Sequence, residues 1–441
     1  MASLRFDVSA ASSGPTRLSA DRIQSIAGQL DRTRADFLAS ARDDADPAGF
    51  FGLPEQQLAA YLRDRQQSPL GRIFHVANGL HHHFDAVVVL GLDDVTLGAR
   101  ALRDACCDPY HNERSRAARG SKPRMYFGGD AFDNDAAASL IERILEGGYG
   151  DTPAERRWAI VVVDRSGESL PTAVALRQFL AALEMSLGAE AAQWLGRLVI
   201  PITGGDGRLR LLATEMGCEE VYTIPAGLPS GFDVLSPISL MPAAMLGLDC
   251  IKLLEGAAVM NEHFRAAEPA DNMAIQHAAV QLACGDAGAR PRSQAIVWSE
   301  ALRTVARWCQ SIGDHGNDHG GHPPSPAACE TYRGSGIHHI MVDSDRHDVL
   351  GVGRLGVGNS LRDQDGLNAI ADQTLTELMQ SAAGNHRDRS AQSGELTTIT
   401  TLPTIDTFVL GQLFQMCMIS AHLQRQFIGE PSSPGPDSGS A

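Results

Sequence analysis

AVVVLGLDDVTLGAR, residues 86–100, is the stretch on which the reading of this chain turns. Its five consecutive apolar residues, Ala86 to Leu90, suit a strand covered on both faces in a parallel sheet, and Gly91 marks where that strand ends. A helix is expected to start near Thr96. In a doubly wound α/β domain ligands gather at the carboxyl ends of such strands, so the turn Leu92-Asp93-Asp94-Val95 reads as a pocket wall. An ordinary strand-to-helix loop is the alternative for this segment taken alone.

The same alternation extends outward. Apolar runs at 125–127, 159–163, 198–202 and 221–224 predict four more strands, with helix-like segments at 97–106, 135–145, 172–187 and 208–216 between them. Five strands joined by four crossovers make a parallel, flavodoxin-like sheet. Upstream, Ile23, Ile26, Leu30 and Phe37 recur at helical spacing in an amphipathic helix over 18–41, and a second helix is expected over 55–66. Downstream, a long apolar segment at 234–260 opens a second unit. Helices follow at 272–284 and 299–311, strands at 295–298 and 337–342, and a Gly-rich acidic loop at 313–321. A helix at 367–382, a polar stretch at 384–393 and a strand at 397–402 come next. The helix expected over 407–427 is so apolar that it must pack in a core or an interface. The last residues, GEPSSPGPDSGSA, have the composition of a disordered tail.

At 441 residues and 43% hydrophobic the chain can bury a large core. Its formal net charge of -16 argues against nucleic acid or an anionic membrane surface as the main partner, since the long-range field repels both. Lys122 and Lys252 are its two lysines, so nearly all positive charge is arginine. Eight cysteines, two of them vicinal (Cys106-Cys107) and none in a Cys-x-x-Cys pattern, point to free thiols in a reducing compartment. The start, MASLRFDVSAASS, has no apolar core for a secretory signal, and no segment is apolar enough to span a membrane; a cytoplasmic protein is expected.

Several motifs keep their order and spacing along 68–428: PLGRIF (69–74), VVVLG (87–91) with LGARAL (97–102), DPYHNE (108–113), RSGES (165–169), FDVLSPISLMPAAMLGLD (232–249), QDGLN (364–368) and LGQLFQM (410–416). In these the chain resembles phosphoglucose isomerase, the two-domain sugar-isomerase (SIS) fold of glycolysis. The resemblance implies an α/β protein of two SIS, flavodoxin-like domains with helix-flanked parallel sheets. It divides the chain into an N-terminal helical segment (1–75), a first SIS domain (76–228), a second (229–428) and the tail (429–441). It also implies a small sugar-phosphate ligand, no cofactor and a homodimer.

Interconverting glucose 6-phosphate and fructose 6-phosphate needs a phosphate cradle, a ring-opening group, a carboxylate to move the C2 proton and positive charge for the enediolate. The family cradle resembles Ser-Lys-Thr-x-Thr-Thr-x-x-Thr at a helix start, where hydroxyls and N–H groups surround the anion. Here that run reads Asp164 to Thr172. Arg165 keeps the charge, and Ser166, Ser169 and Thr172 keep hydroxyls, but Asp164 and Glu168 stand where the family has hydroxyls. These acids repel phosphate unless they turn away, Glu168 as a helix cap. Asp93 and Asp94 occupy the family's Gly-Gly-Ser turn against the sugar, and the Gly-Gly-Arg run reads Ser230-Gly231 without its arginine. By the same resemblance Asp314 is the candidate base and His322 the candidate ring-opening histidine, while no lysine follows Lys252.

Two expectations follow. One is a phosphoglucose-isomerase-like protein whose activity is weak, lost or altered. The other is a non-catalytic sugar- or metal-binding regulatory module that pairs with a paralogue through the helix at 407–427. Its metal would sit among Asp314, His315, Asp318, His319 and His322, although such His-rich loops are usually solvated surface.

Overall fold

The computed structural model describes residues 3–8, 20–40, 47–148, 150, 152–284, 293–313, 336–392 and 396–429. Its chain contacts form two compact units, one of Asp36–Val259 and one of Met1–Ala35 with Met260–Glu430. The opening elements are β1 (Arg5–Asp7) and α1 (Ala20–Ser40), which buries Ile23, Ile26, Leu30 and Phe37 along one face. Next come α2 (Leu53–Arg63) and α3 (Pro69–Leu80). Ser68 caps α3 by accepting the Gly71 N–H, and Pro69 takes the first helical position, where a missing N–H costs nothing.

Strand and helix then alternate through β2 (Ala86–Leu90), α4 (Asp93–Cys106), β3 (Arg124–Gly128), α5 (Asn134–Leu145), the short α6 (Pro153–Arg156), β4 (Trp158–Asp164), α7 (Leu170–Leu187), α8 (Ala191–Leu198), β5 (Val199–Thr203), α9 (Arg208–Glu215) and β6 (Tyr222–Thr223). These five strands are parallel and ordered β3-β2-β4-β5-β6, the flavodoxin-like order. Every residue of β2 and β4 is buried, which is why both read as unbroken apolar runs. The chain leaves β2 for β3 on one side and returns to β4 on the other, so the crevice between the ends of β2 and β4 is the switch point where ligands bind in such sheets.

The apolar segment at 234–260 is two helices, α10 (Pro237–Met245) and α11 (Cys250–Ala266), separated by Gly247 at a φ of 71°. α10 packs on α3 and α4, so the contacts divide the chain at 259/260, whereas the resemblance draws its boundary at 228/229.

The other unit continues with α12 (Met273–Cys284), β7 (Ser293–Val297), α13 (Arg303–Gly313), β8 (Gly336–Val342), α14 (His347–Leu350), α15 (Leu375–Gln392), β9 (Leu396–Leu402) and α16 (Thr407–Ile428). Strands β7, β8 and β9 are parallel neighbours, and β1 closes the far edge antiparallel to β9. The polar stretch at 384–393 belongs largely to α15 rather than to a loop. Its buried stripe, Ala383, His386 and Ser390, has helical spacing but carries no apolar signal. α16 is buried from Val409 to Arg425 and packs against α12 and α13. Among the described residues no helix is long and apolar enough to cross a membrane.

Candidate functional site

The carboxyl ends of β2 and β4 meet through backbone. A side-chain carbon on Gly91 would lie 2.8 Å from the Val163 carbonyl oxygen, so only glycine lets these two loops approach. α4 begins at Asp93, three residues before the expected start, with Leu92 as its cap. Asp93 and Asp94 are therefore the first helical turn rather than a projecting loop, and their charge is favourable beside the exposed N–H groups of the helix. Asp93 pairs with Arg100 at 3.3 Å, and Asp94 accepts a 2.9 Å hydrogen bond from the Ser230 hydroxyl.

Beyond β4 the loop from Arg165 to Ser169 leads into α7, and its donors converge inward. They converge on Asp164. One carboxylate oxygen accepts the Gly167 N–H and the Ser166 hydroxyl, each at 3.0 Å, while the other accepts the Ser169 N–H at 2.9 Å. Gly167, at a φ of 69°, supplies the left-handed turn that aims these groups at one point. This loop has the donor geometry of an anion receptor at a helix start, and the chain's own carboxylate sits at its centre. Ser169 and Thr172 bond to each other through their hydroxyls at 3.1 Å, and Thr172 is buried.

The loop's other charged groups are also engaged. Arg165 donates to Asp233 and to the carbonyls of Leu228 and Pro229, at 2.5 to 2.9 Å. Asp233 is buried; loss of water pushes its carboxyl up, and the Arg165 guanidinium opposes that. Glu168 turns away from the receptor and caps a different helix, accepting the Arg208 N–H at 2.9 Å and the Arg208 guanidinium. The loop 204–207 clamps the receptor from behind. A side-chain carbon on Gly207 would sit 2.7 Å from the Ser166 carbonyl, and the Gly204 N–H donates to the Arg165 carbonyl.

The structure thus places Asp93, Asp94, Arg165, Ser166, Ser169 and Thr172 on the loops and first helical turns that follow β2 and β4. Asp314, His322 and the His/Asp loop between them lie outside the described residues. Sequence reading did not anticipate Asp233, Arg208 or Thr203. The Thr203 hydroxyl is fully buried, has no hydrogen-bond partner among the described residues and sits behind Gly167. No residue spacing links these three to the receptor; the sheet order does. Among the described residues no three His, Cys, Asp or Glu side chains gather as a metal site.

No protein-family model matches the chain. Glucose-6-phosphate isomerase of Bacillus cereus is 27% identical over 368 residues, covering 80% of this chain and 78% of that protein. The Bacillus anthracis enzyme of the same name matches to the same extent. In sequence the chain is similar to glucose-6-phosphate isomerases over most of its length. A crystal structure of a glucose-6-phosphate isomerase from Chlamydia trachomatis shares its fold with a TM-score of 0.70 at 13% identity, over 98% of this chain and 85% of that one. A hypothetical protein of Thermus thermophilus does so at 0.75 and 19%, over 98% and 96%. The α/β architecture, helix-flanked parallel sheets of the sugar-isomerase type, is common to them.

Proposed function

We propose that this chain is a glucose-6-phosphate-isomerase-like protein in which Asp164 occupies the receptor for the sugar's phosphate, so that the isomerase activity of its relatives is weak or lost. The carrying observation is that the N–H groups of Gly167 and Ser169 and the Ser166 hydroxyl are all spent on that carboxylate. A carboxylate about 5 Å from a phosphate dianion, at an effective dielectric near 20, costs roughly 6–7 kcal/mol. Arg165, tied down by Asp233 and two carbonyls, is not free to neutralise it. The ligand in this reading is a small sugar derivative, bound without cofactor by a cytoplasmic homodimer.

A coupled assay tests it: fructose 6-phosphate is supplied and glucose 6-phosphate is detected with a dehydrogenase. kcat/KM is expected about five orders of magnitude below that of ordinary isomerases, the kinetic equivalent of the repulsion above. Turnover at the ordinary level would defeat the proposal.

A further inference from the structure

Cys309 on α13 and Cys417 on α16 hold their sulfur atoms 3.3 Å apart. Two independent contacts keep the helices in that relation. Trp308 packs edge-on against Phe414 with ring centres 4.7 Å apart, and the Arg425 guanidinium donates to the Ile312 carbonyl at 3.0 Å. Both thiols line a cavity of about 80 Å³, with His277 and His338 on its other walls, and Cys309 is the more exposed of the two. The spacing discriminates between the things a thiol pair can do. Tetrahedral zinc, with bonds near 2.3 Å, would hold two sulfurs about 3.8 Å apart and would need further ligands. No third His, Cys, Asp or Glu joins them among the described residues. A sulfur–sulfur bond needs the atoms only about 1.2 Å closer than they stand.

We propose that Cys309 and Cys417 are an oxidative modification site that takes a hydroperoxide and closes to a disulfide linking α13 to α16. The Cys309 sulfur attacks the peroxide O–O bond, giving a sulfenic acid and releasing water from hydrogen peroxide or the corresponding alcohol from an organic hydroperoxide, with the thiol hydrogen carried off on the leaving oxygen. The Cys417 sulfur then attacks that sulfenic sulfur; the S–S bond forms and a water departs with the remaining thiol hydrogen. With hydrogen peroxide, two thiols and one peroxide become one disulfide and two waters. Such pairs in a reducing compartment act as transient sensors rather than as permanent staples.

The test treats the purified full chain with hydrogen peroxide, alkylates remaining thiols in denaturant and maps the digest by mass spectrometry. The expected result is a peptide pair joined through Cys309 and Cys417, lighter by two hydrogens, restored by dithiothreitol and missing in Cys309→Ser and in Cys417→Ser. If both cysteines stay separately alkylated in folded wild-type protein, stop at sulfenic or sulfinic acid, or pair elsewhere, the proposal fails. Because wild-type mapping alone decides, poor folding of either variant cannot obscure the answer.

Discussion

A carboxylate that accepts two backbone N–H groups and a hydroxyl holds its loop together, as Asp164 does here, and under the proposed function the same bonds keep a phosphate out. Asp164→Ser restores a hydroxyl and frees the Gly167 and Ser169 N–H groups. Losing those charge-assisted bonds is expected to cost about 1–3 kcal/mol of stability. Removing the charge relieves about 3 kcal/mol of repulsion per unit charge on a phosphate 5 Å away, so affinity for inorganic phosphate should rise at least about a hundredfold. Titration calorimetry on the folded variant checks this; unchanged affinity would mean that Asp164 is not the obstacle. Arg165→Met makes a different demand, since it strands the Asp233 carboxylate in the interior at a cost of about 3–5 kcal/mol near neutral pH. The sign with pH follows from the raised carboxyl. An Asp whose native pKa lies above its unfolded value destabilises the fold when ionised, and that penalty fades as pH falls through the native pKa. Urea unfolding of Arg165→Met should therefore recover toward wild type on acidification, and a loss that does not shrink would place the damage elsewhere. That acids stand in these loops was legible from the residues alone. Where they point was not, because Asp164 turned inward and Glu168 turned outward differ only in which N–H groups lie near once β4 and β5 are paired.

Elements announced themselves in proportion to their apolar patterning. β2 and β4 had only to be buried on both faces to be visible, whereas β1 is three residues, Arg5 to Asp7, recruited by pairing with β9 nearly four hundred residues away. The start of α4 was read late because two aspartates look like a turn, although the same charges are at home on the first helical positions. At this scale the receptor depends on two loops locking together. Gly207 has a φ of 114° and no room for a side-chain carbon against the Ser166 carbonyl. Gly207→Ala should cost about 2–4 kcal/mol, combining backbone strain with an overpacked contact. It should also speed amide exchange at Gly167 and Ser169, measurable by hydrogen–deuterium exchange. A thermal midpoint within a degree of wild type would show that the loops are not so coupled.

Across the whole molecule, the two units differ in how they carry histidine, and this makes acid a selective perturbant. In the unit holding residues 260–430, burial holds the His277 imidazole at about 4 and that of His339 at about 3, and His338 lies well below its ordinary value for the same reason. Neutral His338 is satisfied by the hydroxyls of Thr398 and Thr400, which tie β8 to β9. A histidine whose native pKa is depressed contributes stability that is complete above its unfolded value near 6.5 and declines as pH falls toward the native one. At pH 5 the unfolded chain has taken up those protons and the native unit has not, so His277 and His339 each withdraw about 2 kcal/mol. Asp345 does not offset this. Its carboxyl is held far below the usual range by Arg354, and the stability it gives is lost only below the ordinary carboxylate value. In the unit of residues 36–259, His81, His83 and His111 are also lowered by burial, but they lie at the ends of helices and loops rather than in the sheet. Lowering the pH from 7.5 to 5 should thus erode protection in peptides covering β8 and β9 before those covering β2 and β4, after correction for intrinsic exchange rates. His277→Gln, which keeps a polar partner for Ser420 but cannot take up a proton, should remove about a third of that acid sensitivity. Equal loss from both sheets, or none by pH 5, would mean that these histidines are not the groups through which acid acts.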